Sequence, residues 1–394
     1  MPSERIWSAP FALAFTAHFL AGLSLHALIH LPGLLKSWGA GPTLVGVVIS
    51  TMAVSAIVVR PWVGWWMDER GRRSVIIAGC ILHALSCFAY LGLDGIGVAV
   101  FVVRIVQGIA DAMIFSAFFT VAADLVPAKR RTEGIAIFGV SGMLPISLGP
   151  LIGDFILADH GYRELFWVVS VLGVVALGAA LLIPETRPAH AEPPSGLWKA
   201  IRLPTLRPLW MAGIVFALSL TSYFVFLKNH AEREALGTIS TFFTPYAITA
   251  VALRLVAGWI PDRVGPRRML FPSMILLSVG IAGLGLATSP AHVMAMGVLC
   301  GLGHAYTFPI LSTLIVERTP EQDRGSALTI FTALFDVGML LGGPMLGAVV
   351  ESVSAPFMFF VAAGISLAGL IAFGLWDRPT LSPRTVAPSV PRST

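Results

Sequence analysis

Gly64-Trp65-Trp66-Met67-Asp68-Glu69-Arg70-Gly71-Arg72-Arg73 recurs in the second half of the chain as Gly258-Trp259-Ile260-Pro261-Asp262-Arg263-Val264-Gly265-Pro266-Arg267-Arg268. Each copy lies just after one long apolar run and just before another. Arg60 matches Arg254 at the same offset, as Gly64 matches Gly258, Asp68 matches Asp262 and Gly71 matches Gly265. A duplication of this size in an apolar chain is the mark of a transporter built from two repeated halves. Its site is then expected between the halves, at mid-membrane depth.

The composition agrees. The 394 residues are 56% hydrophobic and only 12% charged, with a mean hydropathy of +0.84. Soluble domains carry about 25% charged residues, so most of this chain cannot face water. Twelve apolar runs account for the difference, each long enough to cross a hydrocarbon core of about 30 Å. Backbone groups have no water partner there, and the runs lack strict alternation, so helices are expected rather than barrel strands. The expected spans are 10–34, 42–66, 74–93, 97–125, 134–157 and 163–183, then 208–228, 239–261, 268–288, 291–317, 325–350 and 356–376. The fold class is therefore all-α, a polytopic membrane protein of twelve transmembrane helices. Residues 1–183 form the first six-helix unit, 184–207 a Pro- and charge-rich linker, 208–376 the second unit, and 377–394 a disordered tail.

Most of the 26 Lys and Arg fall in loops on one side, in clusters such as Arg70/Arg72/Arg73, Lys129/Arg130/Arg131 and Arg263/Arg267/Arg268. The positive-inside rule places those loops, the linker and both termini in the cytoplasm, for a chain in the bacterial inner membrane. The net charge of +5 is explained by these loops, so no nucleic-acid partner is read into it. Cys80, Cys87 and Cys300 all fall within spans and give no disulfide framework. The first run is longer than a signal-peptide core, carries three histidines and lacks a convincing cleavage site, so it is kept as a membrane helix.

The repeated loop has a physical reading of its own. Gly64 and Gly258 let two helices approach closely. Asp68 and Asp262 favour the positive N-terminus of a neighbouring helix, and the arginines can pair with acids at adjacent helix ends, Asp124 and Glu317 being the natural partners. At these residues the chain resembles the major facilitator superfamily, whose signature between helices 2 and 3 is Gly-x-x-x-Asp-Arg/Lys-x-Gly-Arg/Lys-Arg/Lys. Gly64, Asp68, Gly71, Arg72 and Arg73 match it, with Glu69 where a basic residue is usual. The second copy matches at Gly258, Asp262, Arg263, Gly265 and Arg267. The resemblance implies two pseudo-symmetric six-helix bundles, with this network latching them on the cytoplasmic side in the outward-facing state.

Two further patterns of that family occur. Arg104, Gln107 and Gly108 match its Arg-x-x-Gln-Gly in helix 4. Its antiporter pattern in helix 5 is matched only at Gly149, Pro150 and Gly153, with Ala136, Pro145 and Asp154 where glycines are expected. An echo follows in Gly343-Pro344-Met345-Leu346-Gly347. Export by antiport is thus what the resemblance favours.

Charge at the bilayer centre costs roughly 2.5–3.5 kcal/mol per residue and is a functional-site hypothesis by default. Arg104, Gln107 and Asp111 share one face of the fourth span at i, i+3 and i+7. The resemblance implies that this span lines the central cavity, together with the first, seventh and tenth. Asp111 is the expected proton-coupling residue, because burial raises a carboxyl's pKa and a nearby Arg104 lowers it. The alternatives are a static Arg104–Asp111 pair and substrate binding alone. Its pseudo-symmetric counterpart is His304, a group that titrates near neutrality; a His hydrogen-bonded to a facing helix is the plainer reading. Asp336, equivalent in sequence to Gly142, is a second proton site or pairs across helices with His304 or another polar group. Arg60 and Arg254 are expected to snorkel to the interface.

His18, His26 and His30 lie on the first span, the last two at i, i+4. That spacing could give half of a metal site, yet no Cys, Asp or Glu accompanies them there, so no metal is assigned and His26 and His30 are taken as cavity-lining. Tyr223 and Lys228 lie toward the external end of the seventh span. Phe115, Phe118, Phe119, Tyr306 and Phe308 add aromatic surface, with Phe115, Tyr223, Tyr306 and Phe308 expected in the cavity. So few polar groups argue against a sugar cargo.

The chain reads as a secondary transporter that exports a drug or metabolite by alternating access, coupled to proton entry. Rival readings are a proton-coupled uptake symporter for an organic anion, with Arg104 and His304 holding a carboxylate, and a metal or metallophore transporter. A membrane sensor or assembly factor is the reading from another class. No Gly-x4-Gly-Lys-Ser/Thr loop for ATP occurs, and no nucleophile–base cluster points to an enzyme. No cofactor is called for, and the partners are a small molecule, protons and the lipid bilayer, around a monomer.

Overall fold

The computed structural model describes residues 5–187 and 197–377. Among them are twelve helices long and apolar enough to cross a membrane: α1 Ala9–Ser37, α2 Leu44–Arg70, α3 Arg72–Gly92, α4 Val98–Leu125, α5 Ala128–Asp159, α6 Tyr162–Leu181, α7 Arg207–Arg233, α8 Ser240–Ala257, α9 Pro266–Leu284, α10 Pro290–Arg318, α11 Glu321–Ser352 and α12 Ala355–Trp376. Their starts are set by side chains that satisfy orphan N–H groups. Ser8, Ser289 and Ser354 accept from the backbone of Phe11, His292 and Phe357, and a proline follows within the first turn where its missing N–H costs nothing. Gly71 (φ 95°) and Gly265 (φ 105°) supply the turns after α2 and before α9, in a region where a side chain is strained.

The packing within the two halves is the same. In the first, α1 packs on α5 and α6, α2 on α4, and α3 on α4 and α6; in the second, α7 packs on α11 and α12, α8 on α10, and α9 on α10 and α12. One close approach recurs as well. A Cβ on Gly108 would collide with the Met52 carbonyl of α2, and one on Gly301 would lie 2.5 Å from the Tyr246 carbonyl of α8. Helices that lack a hydrophobic driving force in lipid use such small residues to bring backbones together.

Between the halves, α2 and α4 pack on α11, while α8 and α10 pack on α5. α1 and α7 are not among the packed pairs across this interface. The bundles therefore meet through α2, α4 and α11 and through α5, α8 and α10, with bonds between them at the repeated loops. Asp377, expected in the disordered tail, is instead only 3% exposed and accepts hydrogen bonds from Arg267 and Arg318. The rest of that tail and residues 188–196 of the linker lie outside the described residues.

Candidate functional site

Arg60 on α2 and Arg254 on α8 are 4% and 2% exposed, so neither reaches an interface as the sequence suggested. At their depth both helices face the other bundle rather than lipid, which keeps the guanidinium groups inside. Arg60 donates from Nε to Asp336 at 2.8 Å, and its Nη2 lies 2.7 Å from the same carboxylate oxygen. Its Nη1 donates to Ser116 at 3.1 Å and to Thr332 at 2.8 Å. Asp336 and Thr332 belong to α11, so this pair bridges the bundles, and Asp336 does not bond His304. Arg254 donates from Nε to the Ala305 carbonyl at 3.0 Å; its other nitrogens have no hydrogen-bond partner among the described residues.

Both arginines line a cavity of about 480 Å³ between the bundles. Asp111, Asp336, His18, His26, His83 and His304 face it, with Phe115, Phe119 and Phe308 among its apolar walls. Asp111 is half-buried and has no hydrogen-bond or ion-pair partner among the described residues. Of the charges around it, Arg60 acts on it most strongly and Arg104 least. His304 is held by Tyr246, whose hydroxyl lies 2.7 Å from Nδ1. His18 stacks on Phe138 with 5.2 Å between ring centroids, and its Nδ1 lies 2.7 Å from the Ser141 hydroxyl. Because Ser141 donates its own proton to the Phe138 carbonyl, His18 must donate here from a protonated Nδ1.

Several expected cavity residues lie elsewhere. Arg104 donates to Gln107 at 2.6 Å and to the carbonyls of Val48 and Ile49, and Gln107 also accepts from Tyr90 at 2.9 Å. Arg104 faces α2 and Gln107 faces Tyr90 of α3, because α4 is packed against both helices and crosses α2 at Gly108. Of the three polar groups on that face, only Asp111 reaches the cavity. His30 lies 3.1 Å from the Pro150 carbonyl and 3.5 Å from Asp154, against α5. Tyr306 sits two residues from His304, roughly 200° around the helix, and donates to the Ala257 carbonyl at 2.6 Å. Tyr223 is buried among Phe242, Phe243 and Tyr246. His26, Phe115 and Phe308 do line the cavity, as do His304 and Asp336. Among the described residues, no three His, Cys, Asp or Glu side chains gather as metal ligands.

Aromatic rings close the cavity on the side of the repeated loops. Phe119 of α4 meets Phe308 of α10 at 5.3 Å between centroids, and Phe115 packs on Phe119 at 4.8 Å. Beyond them, each loop aspartate holds a helix of the other bundle. Asp68 accepts from the backbone N–H groups of Gly325 and Ser326 at 2.9 and 2.7 Å. Asp262 accepts from those of Thr132 and Glu133 at 3.0 and 2.9 Å. A carboxylate at a helix N-terminus satisfies two orphan donors and the helix dipole together. Burial raises the Asp262 carboxyl above its ordinary value, opposed by the N–H groups of Glu133 and Thr132. Gly64 permits the first of these contacts, since its Cβ would lie 2.9 Å from the Ser326 Cα. Gly258 faces Glu133 in the second.

The basic residues of the loops are tied down around these caps. Arg72 bonds Asp124 at 3.2 Å and lies 3.7 Å from Asp68, while Arg324 of α11 reaches Asp124 at 3.8 Å. Arg73 donates to the carbonyls of Ile183 and Leu181. Glu185, read from sequence as plain linker, accepts from the N–H groups of Arg72 and Arg73 and caps α3. In the second half Arg263 stacks on Trp259 at 4.3 Å. Arg267 takes Asp377 at 2.9 Å where Glu317 was the expected acid; Glu317 is exposed in the last turn of α10.

The profile described as Major Facilitator Superfamily matches residues 11–237 and 209–392, nearly the whole chain. The chain belongs to the major facilitator superfamily. It is a multi-pass membrane transporter of that fold. The Staphylopine export protein of Staphylococcus aureus is 23% identical over 382 residues, covering 93% of this chain and 94% of that one. Multidrug resistance protein 2 of Bacillus subtilis is 23% identical with the same coverage. The crystal structure of the human organic anion transporter MFSD10 superposes with a TM-score of 0.81 at 19% identity, covering 95% of this chain and 100% of that one. In this superfamily member, residues from both bundles meet in one cavity, as the repeat suggested.

The sequence reading missed Arg60 and Arg254 as cavity residues. Their signal was present, in that an arginine four residues before each loop glycine recurs with the repeat. His83 carried no such mark, since one histidine on a helix has no informative spacing, and His18 was seen only as the third histidine of its span.

Proposed function

We propose that the protein exports a small organic molecule across the bacterial inner membrane in exchange for protons, by alternating access of the cavity between the bundles. The observation that carries this reading is Asp111, an unpaired carboxylate in that cavity, next to an arginine already engaged by an acid of the other bundle. The names of the staphylopine exporter and of multidrug resistance protein 2 support the outward direction.

The Lys- and Arg-rich loops are cytoplasmic by the positive-inside rule, so the aspartate caps latch the cytoplasmic side and the cavity faces outward. In this state the unpaired Asp111 faces the open side of the cavity and takes its proton from outside. Opening the cytoplasmic side parts α11 from α2 and breaks the Arg60–Asp336 pair. Water entering from that side hydrates Asp336. Arg60, left without its partner, then draws on the Asp111 carboxylate of its own bundle and expels the proton inward. His18, His26, His83, His304, Arg254 and Asp336 also face the cavity; only Asp111 is both ionisable near Arg60 and free of a partner.

A thermal-shift screen of the purified protein against metabolites and drugs at two pH values identifies a cargo. In proteoliposomes, Asp111→Asn is expected to lose gradient-driven movement of that cargo at least tenfold while keeping cargo-for-cargo exchange. Full gradient-driven transport by the variant would end the proposal.

A further inference from the structure

The two buried arginines are set in equivalent positions but unequal surroundings. The caps fix the register between halves. Asp68 holds Gly325 and Ser326, and Asp262 holds Thr132 and Glu133, so Gly325 of α11 corresponds to Thr132 of α5. Counting equally along both helices pairs Thr332 with Gly139 and Asp336 with Met143. The sequence comparison had set Asp336 against Gly142; the capping bonds move it by one. Arg60 thus receives a hydroxyl and a carboxylate from the facing helix, where Arg254 receives a glycine and a thioether. The glycine is needed for this approach, because a Cβ on Gly139 would lie 2.5 Å from Arg254 Nη1, which packs directly on the Gly139 backbone.

Arg254 is therefore a cation 98% shielded by the protein, with one hydrogen bond to a carbonyl and its terminal nitrogens bordering an open cavity. A buried charge without a partner costs several kcal/mol unless something supplies the counter-charge. Its planar fork matches a carboxylate in bidentate geometry. We infer that Arg254 is the anion subsite of the cavity, and that the cargo is an organic carboxylate whose acidic group sits on the cavity side of its guanidinium near Met143, where Asp336 sits for Arg60. The rest of the cargo lies against Phe119, Phe308 and Leu220, which suits an apolar or aromatic body. A cavity of about 480 Å³ is within the range of about 300–1,000 Å³ for small-molecule sites. The inference deepens the transport reading by naming the cargo's chemistry.

The test is equilibrium binding to the purified full-length protein, without any gradient, so its failure is separate from a failure of proton coupling. The probes are matched pairs of aromatic acids and their uncharged amides, beginning with 2-naphthoate and 2-naphthamide. The wild type is expected to bind at least one acid tenfold more tightly than its amide. Arg254→Gln abolishes that preference, read as the ratio of acid to amide affinity, while Arg254→Lys keeps part of it. Met143→Asp supplies Arg254 with the carboxylate that Arg60 already has, and is expected to remove the preference with Arg254 still in place. A panel in which no acid exceeds its amide, or an undiminished preference in Arg254→Gln or Met143→Asp, overturns the inference. The Met143→Asp arm stands even if Arg254→Gln fails to fold.

Discussion

Arg60 and Arg254 occupy the same place in the two halves, four residues before the loop glycine at which each helix meets the opposite bundle. Arg60 is neutralised by Asp336 and bonded by Ser116 and Thr332. Arg254 keeps one carbonyl and packs on Gly139, which offers it no side chain. The fold repeats the helix and the arginine but not the counter-charge. One copy of the arginine thus serves cohesion between bundles, and the other is left over for chemistry in the cavity.

The comparison breaks most visibly in stability. Arg60→Ala leaves Asp336 without its cation in the interface, a change that costs about 3–5 kcal/mol for a buried pair. Asp336 keeps 30% side-chain exposure, so about 3 kcal/mol is expected, read as a drop in melting temperature in detergent. Arg254→Ala removes a cation that nothing neutralises, and its melting temperature is expected to stay within the range of an ordinary core substitution. Equal losses in the two variants would mean that Arg254 has a counter-charge after all.

The caps give a second contrast. Asp68 is fully buried, whereas Asp262 is partly exposed. Asp68→Ala is expected to weaken the closed side by about 2 kcal/mol and Asp262→Ala by about 1 kcal/mol, the span of measured N-cap losses. Alkylation of Phe119→Cys from the loop side reports this as a faster rate, with the larger increase in the Asp68 variant. The turn glycines follow the same order. Gly71→Ala meets both a strained φ and the Glu185 carboxylate, while Gly265→Ala meets only the strained φ with nothing within 4 Å. The strain alone is about 1–2 kcal/mol, so the Gly71 variant melts lower.

The fold was legible because its causes are local or repetitive. Twelve apolar runs need only length and composition, and the duplicated Gly64–Arg73 and Gly258–Arg268 stretches announced the symmetry. The capping role of Asp68 and Asp262 followed from electrostatics at helix ends. The cavity was legible only in part, since helical periodicity says which residues share a face and not what that face meets. Arg104, Gln107 and Asp111 share one face, yet α4 crosses α2 at Gly108, and only the residue beyond the crossing reaches the cavity. The same limit hid Tyr223 and Tyr306. Arg60 was misread because an arginine near a helix end and one inside an interface look alike until the opposite helix is in place.

The smallest expected effect concerns pH. Burial raises the Asp262 carboxyl above its ordinary value, so the folded protein holds that proton more tightly than the unfolded chain does. Its contribution to stability is therefore fully present below the ordinary carboxylate pKa and is lost as pH rises through the raised value. Asp262→Asn is expected to flatten the melting-temperature profile in that acidic window and to leave it unchanged at higher pH. A slope that persists unaltered in the variant must come from another group.

The proton-carrying role of Asp111 is tested most directly by recording cargo and proton movement together in proteoliposomes, with a pH-sensitive dye on one side of the membrane. The wild type is expected to move protons opposite to the cargo in a fixed ratio, and Asp111→Asn to exchange cargo with no associated proton signal. A proton signal of undiminished size in the variant, or one running in the same direction as the cargo in the wild type, would contradict the account.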